Sequence, residues 1–301
     1  MFPFWFLGRK KAKPFGPWEK TTTASTGQPA RDTRHYLADS PYMLPKDEEE
    51  DHRINLQHHA LYNALGNHYI APISSTLRTI LDVGTGTGIW ADQMARLFPH
   101  TVVVGLDIAL SSFKGSPSEN CFLCQGNVLT GLPFPDAFFS FTHQRLLVAA
   151  IPAKEWPGVI RELIRVTRPG GWVELIEIDN RMENAGPATA KAQKFMEEIS
   201  ASFGFHWEVV RNLGDILKQE GLQHVEVQPI PIPVGDWSGR VGKMMKIDLL
   251  AATNALRGRY CSHAGITGEE FDQMVQAMAQ EWEVCQSSCL FFAAYGKRAQ
   301  T

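Results

Sequence analysis

The chain has 301 residues, of which 44% are hydrophobic and 20% are charged, a composition typical of a globular protein that forms its core without disulfides or metal ions. The formal net charge of −3 excludes a strong overall attraction to nucleic acid or to anionic lipid. The five cysteines are odd in number and follow no regular framework, which favours reduced thiols and a cytoplasmic location.

The N-terminal region predicts an arm followed by a helical lid. Residues 1–40 are rich in Pro, Gly, Thr and Lys and predict a flexible arm. The first residues are aromatic and then basic, which is the reverse of a signal peptide, and the apolar run is too short to cross a bilayer. We therefore expect no stable membrane insertion. The acidic run up to Glu50 predicts a helix start and Gly66 its end, so we interpret residues 41–72 as a lid.

Strands and helices alternate between residues 73 and 180, the core that we expect to bind a ligand. Apolar runs predict strands at 79–83, 101–106, 137–142 and 172–178, and amphipathic periodicity predicts helices at 89–98 and 156–167. Such alternation is typical of a parallel sheet with helices on both faces.

After residue 180 the pattern becomes mainly helical. Helices are predicted at about 188–203, 208–220, 240–256 and 267–284, with strands at 225–234 and 290–295. Three prolines in the first of these strands predict a place at the sheet edge. We interpret residues 181–301 as cap insertions that carry the last two strands. The same helices are candidates for a homodimer face.

A pair of cysteines raises the question of a metal site. Cys121 and Cys124 have the spacing of a redox or zinc half-site, but no second Cys or His pair follows at zinc-ribbon spacing. We interpret both as apolar residues of a strand and expect no metal.

The strongest motif is a glycine-rich turn between the first strand and the helix after it. Gly84, Gly86 and Gly88 permit a tight turn and a close approach of the backbone to a ligand. Asp82 precedes the turn, where a carboxylate can meet an ammonium group. Asp107 ends the second strand, where an acid can accept both hydroxyls of a ribose.

These residues resemble a known family. Leu81–Gly88 resembles the first motif of class I S-adenosylmethionine (SAM)-dependent methyltransferases, and Asp107 their ribose-binding acid. Residues 125–136 and 168–177 resemble the adenine loop with the fourth strand and the turn before the fifth strand. Residues 42–59, 142–145 and 170–179 are similar to the LaeA-like methyltransferases of secondary metabolism.

The resemblance implies a fold, a cofactor and a reaction. The fold is α/β, with a Rossmann-like, seven-stranded and mostly parallel sheet, an antiparallel last strand, helices on both faces, an N-terminal helical segment and a helical substrate cap. The cofactor is SAM, with S-adenosylhomocysteine as its product. The implied reaction is O- or N-methylation of a small natural product.

The expected cofactor site combines the motifs with helix and strand positions. Asn127 stands where the family commonly has an acid, and its amide oxygen can accept from the adenine amino group. Gln57 lies one helical turn from Arg53 and can reach the cofactor from above. The expected cofactor-binding residues are Asp82, Gly84, Thr85, Gly86, Gly88, Asp107, Ile108, Asn127, Val128, His143 and Gln57.

The candidate catalytic residues are His143, His58 and Glu177. A histidine suits a general base near neutral pH, and His143 follows the fourth strand, where ligands of such sheets lie. Glu177 stands near the end of the fifth strand. We interpret His206 as a packing residue. Arg145 can pair with a carboxylate or with Asp179, and we favour a structural salt bridge over a role in the site.

Several other functions compete with methyl transfer. A SAM-binding regulator or scaffold with little turnover, and a methyltransferase fold used for another reaction such as cyclisation, both fit the motifs. A nucleic-acid methyltransferase is disfavoured because the chain is acidic and lacks the Asp/Asn-Pro-Pro-aromatic tetrapeptide. The glycine spacing disfavours an NAD dehydrogenase.

Overall fold

A computed structural model of the chain describes residues 34–36, 42–111 and 117–300. The predicted arm lies almost entirely outside these residues. The described part forms eight α-helices: α1 Glu48–Leu65, α2 Ile89–Leu97, α3 Trp156–Val166, α4 Pro187–Ser202, α5 Glu208–Gln219, α6 Arg240–Ala255, α7 Arg257–Ala264 and α8 Gly268–Val284. Its strands are β1 Thr79–Val83, β2 Val102–Asp107, β3 Cys121–Gln125, β4 Phe139–Arg145, β5 Thr167–Glu183, β6 Gln223–Pro233 and β7 Ser288–Lys297.

The strands form one seven-stranded sheet in the order β3-β2-β1-β4-β5-β7-β6. Pairing is parallel from β3 to β5, and β7 runs antiparallel to both β5 and β6. The order reverses between β1 and β4, so the carboxyl ends of these strands open a crevice of the kind that binds ligands in α/β folds. The predicted Rossmann-like fold is confirmed.

Different helices cover the two faces of the sheet. On one face, Leu81 and Val104 pack with α3 and α5 in a single apolar cluster. On the other face, Ile80 packs with α2, and Ile176 packs with residues of α1, α4 and α8. This second face therefore carries α1, which precedes the alternating core, and α4 and α8, which follow it.

Helix α1 begins and ends as its sequence indicates. The side chain of Asp47 accepts a hydrogen bond from the backbone N–H of Glu50, and four acidic residues occupy the first turn. Gly66 ends the helix in the left-handed conformation at φ 69°. Buried Leu61 fixes the helix to the rest of the structure.

The prolines of β6 lie at the edge of the sheet, as predicted. Pro229, Pro231 and Pro233 alternate along a strand that pairs only with β7 among the described strands. Because alternate residues of an edge strand direct their N–H groups to the open side, prolines at this spacing remove donors that would otherwise recruit another strand.

The structure differs from the prediction at three elements. Strand β4 runs over Phe139–Arg145 rather than 137–142, so His143 lies within the strand instead of following it. Helix α7 was not predicted. Tyr260 is its one buried residue, so its sequence shows no apolar periodicity. Strand β5 is longer than predicted, since its pairing with β7 continues to Glu183 through polar residues.

Cys121 and Cys124 lie on β3 and pack into different apolar clusters on opposite faces of the sheet. Residues three apart on a strand point to opposite sides, so the two thiols do not form a half-site. Burial raises the pKa of both thiols to about 12. Within the described ranges, no group of three or more potential ligands suits a metal ion. No helix in the described part of the chain is long and apolar enough to cross a membrane.

Candidate active site

A cavity of about 330 Å³ lies at the carboxyl ends of β1, β2 and β4. We call its two ends the sheet half and the cap half. The sheet half is lined by residues 82–86, 106–108, 126–129, 143 and 145–147. The cap half is lined by residues 178–180 and 182 and by residues of α4, α6 and α8. Residues of α1 contribute to the wall between them. The volume lies within the range of small-molecule sites.

The glycine turn closes one side of the sheet half. Gly84 adopts φ 73°, and a Cβ atom at this position would lie 2.6 Å from a side-chain carbon of Leu147. The backbone N–H groups of Gly84 and Thr85 both donate to the carbonyl oxygen of Leu106, at 2.8 and 3.0 Å. Gly86 adopts φ 58°, and a Cβ atom placed there would have its nearest neighbour 3.6 Å away, on Ile54 of α1. The positive φ angle favours glycine at both positions, and at Gly84 a side chain would in addition collide with Leu147.

Asp107 is held at the end of β2 by two backbone groups. Its Oδ2 accepts a hydrogen bond from the N–H of Gly86 at 2.8 Å, and its Oδ1 accepts from the N–H of Ala109 at 3.0 Å. Each carboxylate oxygen has a further lone pair. The fixed carboxylate is thus suited to accept from two adjacent hydroxyl groups.

Asn127 offers a donor where the sequence indicates an acceptor. Its Oδ1 accepts from the N–H of Leu129 at 3.0 Å, and no described residue accepts from its Nδ2. Ile108 and Val128 line the same end of the cavity and supply apolar surface. This corner suits a flat ring that carries nitrogen acceptors.

A buried cluster lies beneath the sheet half. The Nδ1 of His143 donates to Oδ1 of Asp82 at 2.8 Å, and Oδ2 of Asp82 accepts from the hydroxyl of Thr85 at 2.6 Å. The His143 ring stacks on Trp90 with centroids 3.8 Å apart and is only 1% exposed. Its Nε2 has no hydrogen-bond partner among the described residues and lies 3.9 Å from Oε1 of Glu174. The cluster fixes Asp82, and through Thr85 the glycine turn.

His58 is buried on α1 and is not among the residues that line the cavity. Its Nε2 donates to Gln93 at 2.7 Å, and its Nδ1 accepts from the guanidinium of Arg145 at 3.0 Å. Burial and the charge of Arg145 lower the pKa of His58 to about 3. The imidazole is therefore neutral, with both nitrogens engaged.

Glu174 and Glu177 anchor backbone segments on opposite faces of the sheet. Oε2 of Glu174 accepts from the N–H groups of Ile70 and Ala71, and the carboxylate of Glu177 accepts from those of Leu147 and Val148 at 3.0 and 2.9 Å. Burial raises the pKa of Glu174, and it raises the pKa of Glu177 to about 8. Neither residue lines the cavity.

A second charged cluster joins α1 to α6. Arg53 donates to both oxygens of Glu50, at 2.9 and 2.7 Å, and to Asp248 at 2.6 Å. Gln57 donates to the other oxygen of Asp248 at 2.9 Å. Although burial opposes the charge on Arg53, the carboxylates of Asp248 and Glu50 raise its pKa. Arg53, Gln57 and Asp248 all line the cavity.

The cap half is mostly apolar but contains two reciprocal amides. The Nδ2 of Asn180 on β5 donates to the backbone carbonyl of Gln193 on α4, at 2.9 Å, and the Nε2 of Gln193 donates to the backbone carbonyl of Asn180, at 2.8 Å. Because a carbonyl oxygen can only accept, these contacts fix the orientation of both amides. Within the described chain, no donor contacts Oδ1 of Asn180 or Oε1 of Gln193, so both oxygens are available to a ligand. The apolar lining of this half comprises Met43, Ile178, Met182, Ala192, Met196, Leu249, Ala252, Leu256, Met278 and Trp282.

Asp179 also lines the cavity but is engaged by arginines. It accepts from Arg211 at 3.0 Å and from Arg181 at 3.0 Å. The pairing of Arg145 with Asp179, one of two alternatives raised by the sequence, is absent from the described structure.

The structure brings most of the predicted site residues to one cavity. Gly88, His58, Glu177 and His206 are not among its lining residues. Three polar residues of the cavity were not predicted, because no motif in their local sequence marks them as part of a site. They are Asn180, Gln193 and Asp248. The predicted residues that line the cavity are Asp82, Gly84, Thr85, Gly86, Asp107, Ile108, Asn127, Val128, His143 and Gln57.

Comparison with known proteins shows what the chain is similar to. Residues 80–171 match the family model of the methyltransferase domain. The chain is 26% identical over 278 residues to the N-methyltransferase gliN of Aspergillus fumigatus, covering 87% of this chain and 98% of that protein. It is also 26% identical over 275 residues to the N-methyltransferase sirN of Leptosphaeria maculans, covering 87% and 96%.

Among solved structures, Haemonchus contortus phosphoethanolamine N-methyltransferase 2 in complex with SAM matches at a TM-score of 0.49 and 15% identity. The match covers 82% of this chain and 53% of that one, so this chain spans about half of its length. The family match shows that residues 80–171, the part of the sheet that carries the glycine turn, are similar to a methyltransferase domain.

Proposed function

We propose that this chain, a SAM-dependent methyltransferase, transfers the methyl group of SAM to a nitrogen atom of a small, largely apolar natural product, with an oxygen acceptor as the alternative. The observation that carries the proposal is that one cavity joins the glycine turn, Asp107 and Asn127 to an apolar chamber under the cap helices.

The sheet half fits the cofactor on three observations. Gly86 leaves open the direction that a side chain would occupy, so the backbone can approach a ligand. The carboxylate of Asp107 is fixed with lone pairs free for the ribose hydroxyls. The Nδ2 of Asn127 is a donor for a ring nitrogen of the adenine, between Ile108 and Val128.

When bound, SAM supplies an electrophilic methyl group on a positively charged sulfur. The residues of this chain then have to position the acceptor and exclude water. Asp82 is held by His143 and Thr85, so we propose that it favours the ammonium group of the cofactor through its remaining lone pairs. We propose a positioning role for His143, rather than a role as base, because its ring is 1% exposed and stacks on Trp90, and its Nε2, which has no partner in the described chain, lies 3.9 Å from Oε1 of the buried Glu174.

The cap half favours an acceptor that carries a hydrogen-bond donor. The amide oxygens of Asn180 and Gln193 are acceptors set in an apolar chamber, and an N–H or O–H group of the substrate would satisfy them. We favour nitrogen because the two carboxylates that line this half, Asp179 and Asp248, are both paired with arginines. An amine can lose its proton to solvent, whereas a hydroxyl generally needs a base. Both relatives compared above are named N-methyltransferases.

We also propose a cytoplasmic location and a small-molecule rather than a nucleic-acid partner, from the cysteine pattern and the net charge of −3. The cap helices remain our candidates for a homodimer face.

Calorimetric titration with SAM and S-adenosylhomocysteine, with NAD as the negative control, tests the cofactor. We expect both adenosyl ligands to bind and Asp107→Ala to weaken them at least ~10-fold, because it removes acceptors for two hydroxyls. A folded protein that binds neither ligand would contradict the proposal.

The acceptor is tested by incubating the protein and SAM with a panel of apolar nitrogen heterocycles and matched phenols, and by detecting methylated products with mass spectrometry. We expect turnover of the nitrogen compounds. Tight cofactor binding without turnover of any acceptor would instead support a regulatory or scaffold role.

A further inference from the structure

The guanidinium of Arg145 lies at the end of β4, in the wall of the sheet half. Its Nη2 contacts Nδ1 of His58 at 3.0 Å, its one hydrogen bond to a described residue. Within the described ranges, no carboxylate oxygen lies within 4.0 Å of this guanidinium. The carboxylates that line the cavity form their ion pairs with other residues. A guanidinium has five donors, so most of its hydrogen-bonding capacity is unused.

The other cations of the cavity are paired. Arg53 contacts Glu50 and Asp248 at 2.7 and 2.6 Å. Lys46 donates to the hydroxyl of Ser111 at 2.5 Å and lies 3.8 Å from Asp51. Of the cationic side chains that line the cavity in the described chain, Arg145 is therefore the one without a carboxylate.

The neighbouring acids are engaged elsewhere. Asp82 accepts from Thr85 and His143, and Glu174 and Glu177 accept from backbone N–H groups. Burial lowers the pKa of Arg145, against the opposing attraction of these three carboxylates. An enclosed cation without a close counter-ion is unfavourable, and a ligand carboxylate would remove that cost.

We propose that Arg145 binds the carboxylate of the amino-acid end of the cofactor. The inference rests on the proposed use of SAM. Alternate residues of a strand share a face, so Arg145 lies on the same face of β4 as His143, whose partner Asp82 precedes the glycine turn. The two ends of the amino acid would then meet opposite charges, the ammonium at Asp82 and the carboxylate at Arg145. A carboxylate on the acceptor is the other source of the same chemistry.

The test compares two ligands that differ in the amino-acid end. S-adenosylhomocysteine carries the carboxylate, whereas 5′-methylthioadenosine keeps the adenosine and the sulfur but lacks it. Both are titrated into the wild-type protein, Arg145→Met and Arg145→Lys. We expect Arg145→Met to weaken S-adenosylhomocysteine about 10- to 100-fold and 5′-methylthioadenosine less than about twofold, with Arg145→Lys between wild type and Arg145→Met.

Arg96→Met is the matched control, because it removes the same charge from a 66% exposed site on α2 and should leave both affinities unchanged. Equal weakening of both ligands by Arg145→Met would show that Arg145 only supports the local structure, and the inference would be wrong. If Arg145→Met left the affinity for S-adenosylhomocysteine unchanged, the cofactor would be excluded as the source of the carboxylate, and the inference would again be wrong. If the wild-type protein bound neither ligand, the proposed function itself would fail.

Discussion

At the scale of single residues, burial changes what a side chain can do. His58, His143 and Glu177 are the residue types expected of a base, yet the structure engages each of them with fixed partners. His58 orients Arg145, His143 orients Asp82, and Glu177 holds the backbone at residues 147 and 148. His58 and Glu177 therefore act on the cavity only through their neighbours, whereas His143 also lines it.

His58 gives a prediction for the pH dependence of stability. Its pKa is about 3 in the folded protein, against an ordinary value of 6.5, so the unfolded chain binds the extra proton. Stability from this group is fully present above pH 6.5 and is lost as the pH falls toward 3. In His58→Gln, which keeps an acceptor for Arg145 and a donor for Gln93, this loss should disappear.

The measurement is the free energy of unfolding in denaturant at about pH 7 and about pH 5. Between these values the wild type should lose about 2 kcal/mol relative to His58→Gln. Glu177, with its pKa raised from 4.5 to about 8, acts in the opposite direction between these two values, but it is common to both proteins and cancels. Parallel pH profiles for the two proteins would contradict the buried, neutral imidazole.

At the scale of elements, α1 is joined to α6 by charge as well as by apolar contact. The guanidinium of Arg53 bridges Glu50 of its own helix to Asp248 of α6, and Gln57 adds a second contact to Asp248. Because Arg53 and Asp248 also line the cavity, the position of this helix determines the shape of the wall between the two halves.

We expect Arg53→Met to loosen α1 while the sheet stays folded. The substitution leaves two buried carboxylates without their cation, which costs about 3 kcal/mol. Hydrogen exchange should therefore accelerate at the amides of α1, with little change in β1 and β4. Adding Asp248→Asn to Arg53→Met should recover part of the protection, since one of the uncompensated charges is removed. Uniform acceleration across the sheet would mean that α1 is not a separate unit of stability.

At the scale of the whole molecule, the cavity exists because helices from both ends of the chain cover one crevice of the sheet. Its sheet half is built by residues within 82–147, and its cap half mainly by the end of β5 and by the helices that follow it. Cofactor binding and acceptor binding should therefore be separable by substitution.

Ala252→Phe tests that separation. Ala252 lines the cavity from α6, and a phenyl ring there would fill space in the cap half. We expect methyl transfer to fall at least ~100-fold, whereas the affinity for S-adenosylhomocysteine changes less than about twofold. Ala251→Phe, on the same helix but not among the lining residues, should keep both properties. Loss of S-adenosylhomocysteine binding in Ala252→Phe alone would indicate that the two halves are not independent.

Features that depend on neighbouring residues could be predicted from the chain alone. The glycine spacing from Gly84 to Gly88 defined the turn, and the periodicity of α2 and α3 and of β1, β2 and β4 defined the alternating core. The proline spacing of β6 placed that strand at an edge. Backbone preferences and hydrophobic periodicity are local properties, so a single chain displays them directly.

The contacts between polar groups depend instead on the tertiary structure. Arg53 contacts Asp248, and Asn180 contacts Gln193, whereas Arg145 has no carboxylate beside it in the described chain. His58 and Glu177 do not line the cavity. The role of a polar side chain depends on burial and on partners distant in sequence, because the cost of an unpaired charge or hydrogen bond is set by the surroundings. Those surroundings form only when the cap helices pack onto the sheet.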